Sequence, residues 1–133
     1  MPEWLIEVHS IFRWVVLPLA LAALAFAVMA ATGSRPWDAL SDRLAMFFTI
    51  AMDVQLLIGL VLWVLEGRWA IADLGVTWLH PLVMIGAVGL AHVGRARSDR
   101  VEGSRNKGMQ AAIFFGLSLL LVLVGIPLYS WPV

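Results

Sequence analysis

The chain contains no cysteine. That absence excludes a disulfide framework, a thiolate metal site, an iron–sulfur cluster and covalent c-type haem attachment. Charge is scarce as well: nine basic and nine acidic residues cancel across 133 positions. Without a net positive charge there is no electrostatic footprint for nucleic acid, so no nucleic-acid partner is expected. Four stretches, 14–32, 44–65, 74–94 and 108–133, contain no Lys or Arg and a single acidic residue, Asp53. They therefore lack the polar stripe that every helix of a water-soluble bundle needs. The first residues, Met1-Pro2-Glu3-Trp4, bring no basic segment ahead of the first apolar run, so a cleaved signal peptide is not expected.

What the chain has is hydrocarbon. Hydrophobic residues make up 62% of it, against about 45–50% in soluble domains. Each charge-poor stretch is long enough to cross an apolar slab of roughly 30 Å as a helix. The expected fold is all-α: one domain over residues 1–133, an up-and-down four-helix transmembrane bundle with helices at about 3–31, 42–66, 77–96 and 108–127. Pro18 falls inside the first helix and should kink it. Ala20, Ala23, Ala27 and Ala30 recur at helical spacing and form a face that lets a neighbouring backbone come close. Ser41 or Asp42 is a candidate cap for the second helix and Thr77 for the third, with Pro81 in its first turn.

The connections set the expected orientation. Arg35, Arg43, Arg95, Arg97, Arg100, Arg105 and Lys107 flank the two turns on one side, whereas Arg13 and Arg68 belong to the other. By the positive-inside rule both basic turns face the cytoplasm and both termini face outward, N-out and C-out, in a bacterial inner membrane. Trp4, Trp14, Trp63, Trp69, Trp78 and Trp131 gather toward the outer side, where indole N–H groups stay hydrated, and only Trp37 toward the inner. The basic turns are expected to meet anionic lipid headgroups.

Histidines carry the chemistry. His9 opens the first apolar segment and His80 the third. In an up-and-down bundle those two helices are parallel, so both imidazoles lie at one depth. Two imidazoles at one depth on two helices suit axial ligation of a haem iron. Arg13 shares the face of His9 and can meet a haem propionate or pair with Glu66. Met84 lies one turn beyond His80, so a His9, His80 and Met84 copper site is a further reading. A wet interfacial His9, and a His80 bonded to a loop carbonyl, are the structural alternatives. His92 lies about 18 Å along the helix from His80. It can be a helix-end histidine, or belong to a second site completed by Met46 or Met109.

Asp53 and Gln55 are the intramembrane polar residues. An ionised carboxylate at that depth is costly unless paired. The readings are a proton relay, a quinone hydroxyl partner, a contact to another subunit, or a protonated carboxyl bonded to Gln55, Thr49 or a backbone carbonyl. A faint repeat also relates Phe47-Phe48, Gly59 and Trp63 to Phe114-Phe115, Gly125 and Tyr129, and His9 to His80. It predicts two parallel hairpins about an axis along the membrane normal, with the two histidines facing each other across it.

The pattern His9-x3-Arg13-Trp14, then Asp53-x-Gln55-Leu56-Leu57-Ile58-Gly59-Leu60, then His80-Pro81-x2-Met84 and Gly94-Arg95, resembles a group of small bacterial four-helix membrane proteins, some labelled b-type cytochromes. The resemblance spans most of the chain. It implies one haem b held by His9 and His80, with Arg13, Trp14 and Met84 around it, and electron exchange with a quinone pool. Asp53 departs from the pattern, since similar sequences carry histidine at that place. The rival expectation is a non-catalytic accessory subunit of a respiratory or photosynthetic complex, its histidines holding a chlorophyll-type magnesium, a lipid or nothing. In either case other membrane-protein subunits are the expected partners.

Overall fold

The computed structural model describes residues 3–71 and 75–126, without the side chains of 75 and 76. Pro127, Tyr129 and Trp131, which figured in the expected helix end, the repeat and the aromatic belt, lie outside the described residues. The fold is an all-α four-helix bundle: α1 Glu3–Thr32, α2 Ala39–Leu65, α3 His80–Arg100 and α4 Ser104–Gly125. All four are long and apolar enough to cross a membrane, which makes the fold compatible with a multi-pass membrane protein. Each helix packs on its sequence neighbours, and α4 closes back on α1. Thus α1 and α3 sit diagonally across the bundle, as do α2 and α4.

Three helix starts differ from the expected ones, each for a local reason. α2 begins at Ala39 because Asp38, rather than Ser41 or Asp42, is its N-cap: the Ser41 backbone N–H donates to Asp38 Oδ1 at 3.0 Å, and Ser41 Oγ accepts from the Asp38 N–H. α4 begins at Ser104 rather than 108, because Gly103 turns the chain at φ +90°. Thr77 is not the N-cap of α3; Leu79 takes that place, without a side-chain cap hydrogen bond. Gly75–Leu79 winds as a wide π-type turn that runs directly into α3, and the Thr77 carbonyl accepts from Trp63 Nε1–H at 2.6 Å.

Small residues draw one half of the bundle tight. Ala20, Ala23, Ala27 and Ala30 are all at most 2% exposed. Gly108 of α4 lies against them so closely that a Cβ there would fall 2.6 Å from the Ala27 carbonyl oxygen and 2.5 Å from the Ala31 nitrogen. Gly94 of α3 sits just as tightly on Phe114 and Phe115. Between the diagonal pair, Phe48 and Phe115 meet edge to face at 5.1 Å, both fully buried. These are the repeat-related aromatics, so α2 and α4 contribute equivalent rings to the centre.

Gly108→Ala should loosen the α1–α4 contact. Replacing glycine in a helix gains up to about 1 kcal/mol of propensity, but overpacking against backbone costs about 1–3 kcal/mol. The expected result is a net loss, read as a lower thermal midpoint in detergent. A second check concerns Asp38. The Ser41 backbone N–H, then the Arg35 guanidinium 2.8 Å away, hold its carboxyl down at about 2. A depressed carboxyl stabilises above its unfolded value of about 3.9 and loses that contribution as pH falls toward 2. Amide exchange in the first turn of α2 should therefore accelerate below pH 4 in the wild type. In Asp38→Asn, which caps without titrating, it should not.

Candidate functional site

Where the small residues give way to larger ones, the helices separate around a cavity of about 310 Å³. It lies at the end where α1 and α3 begin. Its walls are mostly apolar, with Val16, Leu17, Leu56, Met84, Val88 and Val122 among them. His9, Arg13, Gln55, Glu66, Arg68 and His80 bring polar groups into it. A mostly apolar concavity with a few convergent polar groups is the usual form of a small-molecule or cofactor site.

His9 and His80 come together here. Their ring centroids are 6.4 Å apart and their planes stand at 86°. Two imidazoles joined by a direct hydrogen bond would bring their centroids to about 5 Å. With one metal ion between them, at metal–nitrogen distances of about 2.0–2.1 Å, the separation becomes about 6 Å. The observed spacing is wider than a direct hydrogen bond allows, and it is compatible both with an ion between the rings and with a plain edge-to-face contact.

Each histidine is set by a different support. His80 Nδ1 lies 2.8 Å from the Gly125 carbonyl oxygen at the end of α4. When Nδ1–H donates to that carbonyl, the tautomer and ring direction are fixed and Nε2 keeps its lone pair. A carbonyl partner, the structural alternative for His80, and a ligand role are thus compatible. His9 is held through its backbone: its carbonyl accepts from Gln55 Nε2 at 2.7 Å. Its Nδ1 is buried with no hydrogen-bond partner, and so is Gln55 Oε1. Buried polar atoms without partners are rare enough to need a reason. Gly59 makes room for the ring, since a Cβ there would stand 3.0 Å from His9 Cε1.

One tryptophan, Trp63, contributes to the cavity wall. It meets Trp78 edge to face at 5.0 Å. Trp63 Nε1–H donates to the Thr77 carbonyl, and Trp78 Nε1–H to the Ile71 carbonyl at 2.5 Å. Indole donors thereby tie Trp63 to the turn before α3, and Trp78 of that turn to Ile71.

Of the other anticipated residues, Arg13 and Met84 line the cavity, whereas Trp14 is 45% exposed and is not among the lining residues. Glu66 pairs with Arg68 at 3.0 Å rather than with Arg13. His92 is not a capping histidine, nor does its bond go to Met46: its Nε2 is 2.7 Å from Asp53 Oδ1. Asp53 lies two turns from Met46 along α2. Nor does Asp53 rest on Gln55 or Thr49, since Gln55 is committed to His9 and Thr49 Oγ1 donates to the Met46 carbonyl. Gln55, Gly59 and Gly125 as supports of the two rings went unrecognised. The pairing of Gly59 with Gly125 in the repeat, alongside that of His9 with His80, was the available signal. Among the described residues, no group of three or more His, Cys, Asp or Glu is placed to hold a metal ion, so any metal here rests on the two imidazoles and a ligand of its own.

No family model matches the sequence, and neither the curated proteins nor the solved structures compared with it give a match.

Gly59→Val should push the His9 ring aside. Ring-to-ring proton contacts between His9 and His80 should disappear from NMR spectra in detergent. Those between Phe48 and Phe115, deeper in the bundle, should remain.

Proposed function

We propose that this chain is a membrane electron-transfer protein or subunit that binds one haem b between His9 and His80. The observation that carries the reading is the 6.4 Å separation of two imidazoles across a shared cavity. Four further features support it. His80 is oriented by the Gly125 carbonyl in the manner of metal-ligating histidines. Among the described residues, His9 Nδ1 is buried with no geometric hydrogen-bond partner. Arg13 and Arg68 line the cavity, where guanidinium groups match the carboxylates of haem propionates. Most of the remaining wall is apolar, which would limit water at a bound metal and lower the local dielectric.

When bound, the haem supplies one-electron exchange. The protein's share is ligation by two rings, charge neutralisation by the arginines, and exclusion of water by Met84, Val88 and Leu56. The same reading places the chain in a bacterial inner membrane with both basic turns toward the cytoplasm, as a component of a larger assembly.

Protein purified from haem-supplied membranes should show Soret and α bands in its reduced-minus-oxidised spectrum. Both bands should vanish in His9→Ala and in His80→Ala while the elution volume and helicity stay unchanged. They should survive in Arg13→Gln, with a shifted midpoint potential. A colourless wild type that co-purifies with a large complex would overturn the haem reading in favour of an accessory subunit.

A further inference from the structure

Two of the buried polar atoms that lack a hydrogen-bond partner belong to residues already joined to each other: Nδ1 of His9 on α1 and Oε1 of Gln55 on α2. The bond that joins them settles which amide atom is left over. Gln55 reaches to 2.7 Å from the His9 main-chain oxygen, which can only accept, so the amide presents its NH2 there and keeps its oxygen. That oxygen is an acceptor without a donor. The His9 ring nitrogen is a donor in one of the two neutral tautomers. The Gln55 side chain also interacts electrostatically with the imidazole, although the two atoms are not aligned for a bond. Each is what the other requires, and away from water an unpaired polar atom is costly.

The two halves of the repeat explain why this pairing takes a side chain. On α3, His80 Nδ1 meets the Gly125 carbonyl oxygen at 2.8 Å. That carbonyl is available because α4 ends at Gly125, and the last carbonyls of a helix have no partner within it. Gly59 is the counterpart of Gly125, and it too lies against a histidine ring, with His9 Cε1 3.0 Å from where its Cβ would stand. But α2 runs on to Leu65, so the Gly59 carbonyl is taken by the Trp63 N–H within the helix. His9 therefore cannot be held as His80 is. Gln55 stands one turn before Gly59 and brings an acceptor to the same ring nitrogen. Its counterpart, one turn before Gly125, is Leu121, at a place where the main chain already supplies the acceptor.

We infer that Gln55 is the positioning residue of His9, a two-point clamp whose Nε2 holds the main-chain carbonyl and whose Oε1 accepts from the ring Nδ1–H. A small rotation of amide and ring brings the second pair into line. Nδ1 and Nε2 lie on either side of Cε1, so a proton fixed on Nδ1 leaves the lone pair on Nε2. Gly125 imposes the same tautomer on His80. Both rings then offer the same nitrogen to one guest, by unlike devices. That the guest is a haem iron rests on the reading proposed above, whereas the tautomer of His9 rests on the geometry of α1 and α2 alone. A ring that donates through its far nitrogen is the more basic ligand, so Gln55 also lowers the potential at which a bound iron is reduced.

The test uses the full chain with isotope-labelled histidine, in phosphatidylcholine nanodiscs and free of haem, and nitrogen NMR reads which ring nitrogen carries the proton. His9 and His80 should both carry it on Nδ1. Gln55→Met keeps the length of the side chain and removes both polar atoms. It should release His9 to the other tautomer or to a mixture of the two, and leave His80 unchanged. Haemin titrated into the same samples should bind roughly 10–100-fold more weakly to Gln55→Met, with a higher midpoint potential once bound. The inference is overturned if wild-type His9 carries its proton on Nε2, or if Gln55→Met leaves that tautomer as it was. A glutamine that only joins α1 to α2 would change the thermal midpoint and move neither tautomer nor potential. The expected tautomers in a protein that takes up no haemin overturn the haem reading alone. Haem uptake with the same affinity and potential in wild type and Gln55→Met overturns this inference alone.

Discussion

Close backbone contact between α1 and α4 decides where this bundle is solid and where it is hollow. In hydrocarbon there is no hydrophobic drive between helices, so van der Waals packing and interhelical hydrogen bonds must hold them. The alanine face of α1 against Gly108, and Gly94 against the Phe114–Phe115 pair, supply that packing in one half. The other half carries Trp63, His9, His80 and Met84, which are too large to let the axes meet. The cavity opens there as a consequence. Size distribution along the helices, more than any feature of the histidines themselves, places the two rings in a shared space.

Polar groups follow the same logic. Away from water each must find its partner within the protein, and the pairings connect different helices. Gln55 ties α2 to the His9 carbonyl, His80 ties α3 to the end of α4, Ser118 Oγ–H of α4 donates to the Ala87 carbonyl of α3 at 2.6 Å, and Asp53 joins α2 to α3. Two of these four bonds, Gln55 to His9 and His80 to Gly125, involve residues that line the cavity. The bundle's register is thereby set near the site it encloses.

Much of this was legible in the sequence. Long charge-free runs define the four spans whatever their rotation, and the alanine spacing on α1 marks a close contact. The depth of His9 and His80 follows from topology alone, because parallel helices carry equal offsets to equal levels. Helix starts were less legible. Asp38, Ser41 and Asp42 are all good caps, and only the backbone geometry chooses among them. The polar residues before Gly108 look like loop although they are the first turn of α4. The pairing of Asp53 with His92 was not legible at all. It depends on how α2 and α3 are rotated about their axes, and helices that are apolar all round carry no periodic signal to report it.

The two rings of the cavity are unequally restrained. The imidazole on α3 is tied to a carbonyl at the end of α4, whereas the hydrogen bond that holds the one on α1 runs from Gln55 to its main-chain carbonyl. Gly59 lies directly against that second ring, an approach that a residue with a side chain would crowd. A guest entering between them meets one jaw tied through its ring and one tied through its backbone, so adjustment to its thickness falls first to the α1 side.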